Sequence, residues 1–237
     1  MPRLSLAAAL MVAVFCCPAH GQDRRGEEAT TSPEYHGTMA NAPIPPKYHV
    51  RNEGGSDGAG LCVISSLIQD GAYQSIGDLP TLKESALWKA AKKAKGGYYP
   101  GKLEALLKAV MPDAKWFSWE GKTPELVKQY NAAGYPVATT MNTGAQYGYA
   151  PIHHMISVAH LDDQWACVVD NNDPGKYHWM PAAEYARRFP DGGNGWGFVW
   201  LPPEQAAAGF GLWAAVILLA AVAIKRRRER RRWALSF

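Results

Sequence analysis

The chain carries four cysteines, and two of them, Cys62 and Cys167, lie in its central portion. Their surroundings differ. Cys62 follows a glycine-rich stretch, Gly54-Gly-Ser-Asp-Gly-Ala-Gly60, and opens an apolar run, CVISSLIQ, that reads as a helix start. A helix N-terminus presents free N–H groups and partial positive charge, which lower a thiol pKa and favour the nucleophilic thiolate. Preceding glycines let backbone and substrate approach closely. Cys167 lies between Ala166 and Val168 in an apolar strand, opposite in alternation to Asp170, and reads as a core residue. A disulfide between the two is the alternative, since the compartment inferred below is oxidising.

A thiolate nucleophile needs a base and a group to orient that base. His154 begins an apolar strand, Ile152-His-His-Met-Ile-Ser-Val158, and Asp170 ends the next, Trp165-Ala-Cys-Val-Val-Asp170. Adjacent antiparallel strands turning at Asp162-Asp163 would bring the two side chains together. A buried carboxylate there fixes the imidazole tautomer and stabilises its cation. His153 is the competing histidine, but alternation sends it to the other face. Asn171 and Asn194 are alternative orienting residues. No HExxH and no Cys/His cluster with zinc spacing occurs, so neither metal nor cofactor is expected.

Several elements must position these groups. Helices are expected over 62–69, 81–95 and 102–110, from apolar residues at helical spacing. A fourth helix, with Thr123 as N-cap and Pro124 at its first position, runs to Ala133 and stops at Gly134. The period then changes. Strands are expected over 137–141, 154–159, 165–170 and 197–201, with a short helix at 181–189. Helices first and strands afterwards predict an α+β domain.

The arrangement resembles the papain-like cysteine peptidases. Gly60-Leu-Cys62-Val-Ile-Ser-Ser66 is similar to the Gly-x-Cys-x-x-x-Ser around that family's nucleophile, and the spacing of His154 and Asp170 is similar too. Ala133-Gly-Tyr-Pro-Val137, then His154, then Asp170-Asn-Asn-Asp-Pro174 follow the plan of the bacteriocin-leader-processing, double-glycine branch. The likeness runs over 53–201. It implies an N-terminal helical part bearing the nucleophile, followed by an antiparallel sheet, with Cys62, His154 and Asp170 as the catalytic triad. That family usually places a glutamine six residues before the cysteine to donate to the oxyanion. Here that position is Ser56, a shorter and poorer donor, while Asn52 is a second residue that could reach in. Asn194-Gly-Trp-Gly also resembles a papain motif, but it lies 40 residues beyond His154, too far for a next-strand partner. The implied activity is hydrolysis of a peptide or protein substrate. A transglutaminase-like acyl transferase and a non-catalytic binding domain on the same fold are the alternatives.

The ends give the compartment. Residues 1–21 read as a signal peptide: Arg3, an apolar run over 4–15, and small residues at Ala19 and Gly21. Residues 22–47 are polar and proline-bearing, a flexible linker or pro-segment, and the folded domain is expected over 48–202. Residues 206–224 are free of charge over 19 positions, about 28 Å of helix, which suits a single transmembrane span. Residues 225–237 follow as a basic tail, with seven cations and one glutamate before position 233. Such a cluster stays cytosolic, so the domain is expected outside the cytosol, at the periplasmic or cell surface. A sorting tail that is removed is the alternative. The formal net charge of +4 reflects this tail; without it and Arg3 the remainder is near −3. The basic balance therefore points to a membrane flank, not to nucleic acid.

Overall fold

The computed structural model describes residues 39–143, 153–191 and 194–201. The expected signal peptide, the span at 206–224, the basic tail at 225–237 and most of the 22–47 segment lie outside the described residues. No helix among the described residues is long and apolar enough to cross a membrane.

The α+β expectation holds. Five α-helices and six strands are described: α1 (Cys62–Tyr73), α2 (Ala86–Lys93), α3 (Pro100–Val110), β1 (Lys115–Glu120), α4 (Glu125–Ala132), β2 (Val137–Asn142), β3 (His153–Leu161), β4 (Trp165–Val169), β5 (His178–Pro181), α5 (Ala182–Asp191) and β6 (Trp196–Leu201). The strands form one antiparallel sheet in the order β1-β6-β2-β3-β4-β5.

Helix α1 is the centre of the fold. Every residue from Val63 to Ala72 is buried, as expected of a helix enclosed on all sides. It continues past the predicted end at Gln69 because Gly71 admits close neighbours. A Cβ there would stand 2.2 Å from the Leu79 side chain and 2.9 Å from the Trp200 indole nitrogen. That nitrogen donates to the Leu67 carbonyl at 2.8 Å, joining α1 to β6. One core forms where α1, α2 and α3 meet the sheet, around Leu67, Leu87, Leu107, Phe198 and Trp200. A second forms on the far side, where Val127 of α4 and Tyr185 and Phe189 of α5 meet Ile156, Val158 and Val199.

Three details depart from the sequence reading. The helix expected over 81–95 is broken: a 3-10 segment, Leu79–Glu84, ends at Ser85, whose hydroxyl accepts from Trp88 N–H and caps α2. Strands β1 and β5 were not foreseen. In KWFSWE, Trp116 and Trp119 are three apart, which fits neither a strand nor a helix period cleanly, and it is pairing with β6 that makes the segment a strand. Helix α4 starts after Pro124 with no side-chain cap, so the Thr123 hydroxyl is not used as expected.

The packed unit also begins earlier than Tyr48. Ala40, Ala42 and Ile44 are buried, and Ala40 and Ile44 sit against Ala159, Cys167 and Val169. Ala42 N–H donates to Ala159 O at 2.8 Å. Alternate small and apolar residues in an extended chain cover the sheet here without any period long enough to read as an element.

Candidate active site

Cys62 is the first residue of α1 and is partly buried. Both Cys62 and Cys167 are free thiols, so the disulfide alternative is not formed. Cys167 is fully buried, and burial pushes its thiol pKa well up. It is an inert core residue, as its strand alternation predicts.

His154, near the start of β3, is 3% exposed, whereas His153 is exposed. Pairing of Ser157 with Val169 places Asp170 opposite Ile156, two positions along from His154 on the same face. The His154 Nε2 atom lies 2.8 Å from Asp170 Oδ1, and both side chains are almost completely buried. The same carboxylate oxygen accepts from Asn172 N–H at 2.8 Å. Nε2 thus carries the hydrogen toward Asp170, and the Cys62 thiol is hydrogen-bonded to the same imidazole.

Opposed forces set the charges. Burial alone would push the Cys62 thiol up, but the hydrogen bond and charge of His154, with the Met155 and Val63 N–H groups, bring it below the ordinary range. Burial would likewise push His154 down, yet its contacts with Asp170 and Cys62 raise it to about 9. The two shifts favour one state, a thiolate beside an imidazolium that a buried carboxylate holds in place.

Asn171 does not orient the imidazole. Its side-chain amide donates to Cys62 O at 3.1 Å, Ser66 Oγ at 3.0 Å and Met155 O at 2.8 Å. It ties the first turn of α1 to the start of β3, fixing the nucleophile relative to its base. Gln69, two turns further along, repeats this with bonds to Ser157 Oγ and Val169 O. Asn194 is exposed, in a left-handed turn with φ 59°, and its carbonyl accepts from Gly121 N–H beside β1. Nε2 of His154 is already held by Asp170.

Ser56 is not at the nucleophile either. Its hydroxyl donates to Ala94 O at 3.0 Å, just past the end of α2. The 54–60 stretch is a small hairpin closed by a bridge between Gly54 and Gly60. Its tip is pinned by Asp57, which accepts from Ala59 and Gly96 N–H groups. Gly54 is required there, since a Cβ would stand 3.0 Å from the Gly58 backbone. The bridge has a consequence for register: Gly54 faces Gly60, Leu61 N–H bonds Glu53 O, and Asn52 therefore faces Cys62. The Asn52 side chain lies over Gly60 and donates to Asn172 Oδ1 at 3.0 Å, while its N–H donates to Asn171 O. Ser56 is carried away on the loop, while the Asn52 side chain lies over Gly60, two residues before the nucleophile.

No group of three or more metal-ligating side chains occurs among the described residues. No protein-family model and no curated protein matches the chain. Among solved structures it is similar to a putative C39-like peptidase from Bacillus anthracis, at 16% identity, covering 60% of this chain and 88% of that one, with a TM-score of 0.43. It is also similar to a double-glycine motif protease from an AMS/PCAT transporter, solved with its leader peptide, at 16% identity, covering 60% and 84%, with a TM-score of 0.36.

Proposed function

We propose that this chain is a membrane-anchored, extracytoplasmic thiol hydrolase that cleaves peptide bonds. The observation that carries this reading is the buried His154–Asp170 pair, with the Cys62 thiol hydrogen-bonded to the same imidazole at the start of α1. In the proposed reaction the Cys62 thiolate attacks the scissile carbonyl carbon, and the carbonyl π pair moves onto oxygen. The Cys62 N–H, at the helix N-terminus, and the Asn52 amide donate to that oxyanion. As the C–N bond breaks, the His154 imidazolium gives its Nδ1 proton to the leaving amine. Neutral His154 then takes a proton from water, the hydroxide adds to the thioester, and Cys62 leaves as thiolate. Asp170 stays ionised and holds the imidazole. The substrate is a peptide or protein, as the leader-peptide complex of the double-glycine protease suggests by analogy. The expected signal peptide at 1–21, span at 206–224 and basic tail place the domain outside the cytosol.

The test is a peptide-library digest by the full chain in vesicles, read by mass spectrometry, with Cys62→Ala as control and a primary amine present in one arm. Cleavage lost in Cys62→Ala supports the hydrolase. Amine-capped products in place of free carboxylates would move the reading to acyl transfer. No Cys62-dependent product, with a thiol that alkylates only above pH 8, would make the domain a binding module.

A further inference from the structure

The sheet has two ends, and its register assigns the site to one and the tether to the other. Because all neighbours are antiparallel, one end collects Lys115, Val137, Leu161, Trp165, Pro181 and Leu201. The opposite end collects His153, Val169 and Trp196, with the 54–60 hairpin and the 170–175 turn beside them. Helix α1 runs the same way: its first turn is bonded to Met155 and its third to Ser157 and Val169, so Cys62 faces the second end.

The separation follows from the pairing. His154 is level with Met141, three residues beyond Ala138; Ala138 is level with Phe198, three residues short of Leu201. Six strand residues at about 3.3 Å each set the His154 level roughly 20 Å from the last residue of β6. Only Pro202, Pro203, Glu204 and Gln205 separate Leu201 from the uncharged run at 206–224. Those residues reach about 17 Å when fully extended.

We infer that the Cys62 site opens on the end of the domain that faces away from the bilayer, and that its substrate is a polypeptide segment held clear of the membrane. This rests on the anchored reading above. The tether end, with Leu201 and Lys115, sits toward the headgroups, and the His154 level stands roughly 20 Å further out. Segments that a membrane protein keeps within the headgroup layer do not reach it. Soluble polypeptides, and tails or loops that project by roughly 20 Å or more, do.

The experiment uses the full chain in vesicles with headgroup-nitroxide lipid, in a background with Cys16, Cys17, Cys62 and Cys167 all changed to Ser, folding checked by circular dichroism. A dye is placed at exposed Lys115→Cys or exposed Asp57→Cys in separate preparations. Severalfold stronger lipid quenching at position 115 than at 57 is expected. Equal quenching, or stronger quenching at 57, overturns the inference while leaving the anchored hydrolase intact. Failure of the chain to float with the vesicles removes the anchor, and this inference with it, whatever the peptide digest shows.

Discussion

Asp170→Asn isolates the electrostatic reasoning. The substitution keeps the shape and the hydrogen-bond acceptor but removes the charge facing His154 Nε2 across 2.8 Å. A buried hydrogen bond to a charged group contributes about 1.5–3 kcal/mol. At about 1.36 kcal/mol per pH unit, its loss lowers the imidazolium pKa by roughly one to two units. From the wild-type value of about 9, that brings the imidazolium to roughly 7–8. Two readouts follow. The ratio of ion-paired to neutral Cys62–His154 falls by roughly ten- to a hundredfold, so iodoacetamide modification of Cys62 at pH 7 slows toward that of an ordinary thiol. The alkaline limb of the kcat/KM profile, which reports loss of the acid that protonates the leaving amine, moves down by the same one to two units or so. Both are measured on a Cys16→Ser, Cys17→Ser, Cys167→Ser background so that one thiol is counted, with His154→Ala as the limiting case. A folded Asp170→Asn protein with an unchanged limb and alkylation rate would refute the argument, because the carboxylate would then have no hold on the imidazole.

Three further perturbations test the rest of the site and its frame. Asn52→Ala should lower kcat by about 100- to 1000-fold with little change in KM, the loss typical of one oxyanion donor, whereas Ser56→Ala should leave turnover essentially unchanged; steady-state kinetics on a cleaved library peptide decide between them. Asp70 is wholly buried in α1, with the Ser157 hydroxyl facing it but neither oxygen in a well-formed hydrogen bond, and burial raises its pKa well above the usual range. The stability it confers as a neutral acid is present below its unfolded pKa and declines as pH rises through the raised folded value, so Asp70→Asn should flatten thermal stability against pH and raise Tm at neutral pH, by about 2–4 °C for each kcal/mol recovered. Asn171→Ala removes the buried amide shared by Cys62 O, Ser66 Oγ and Met155 O; chemical denaturation should show a loss of about 1–3 kcal/mol, and the alkylation rate of Cys62 should fall as α1 loses its fixed distance from β3.

The legible strands are those buried along nearly their whole length. Strands β2, β3, β4 and β6 lie in the middle of the sheet with both faces covered; WACVV and WGFVWL are accordingly apolar, while VATTMN and HHMISVAHL mix apolar residues with buried polar ones. The missed strands are the two edges. β1 has a mixed pattern because four of its six residues are exposed, and β5 is four residues long and ends in Pro181, a residue tolerated at an edge because one side needs no ladder bond. Neither sequence contains what makes it a strand, which is the hydrogen-bonding side of a neighbour far along the chain. The 39–47 segment escaped for a related reason: Ala40, Ala42 and Ile44 are buried by the shape of the sheet they cover, and a short extended cover has no period of its own.

The site divides along the same line. Cys62, His154 and Asp170 each sit at the end of a regular element, so alternation and helix start were enough to bring His154 and Asp170 together and to reject His153. Along the chain Ser56 stands six before Cys62, but its hydroxyl is fastened to Ala94 O. The physical neighbour is set by the hairpin between them. Gly54-Gly-Ser-Asp-Gly-Ala-Gly60 is a turn sequence flanked by glycines, and closing it at Gly54 and Gly60 makes Asn52 and Cys62 opposite one another. The clue was present in the Ser-Asp-Gly tip, which favours a tight turn. The hydroxyl of Ser56, carried outward on the loop, is then free to fasten the tip to Ala94. A serine at the expected position therefore says little about whether the oxyanion is held, and the activity of Asn52→Ala against Ser56→Ala separates an idle site from one whose donor has changed its place in the chain.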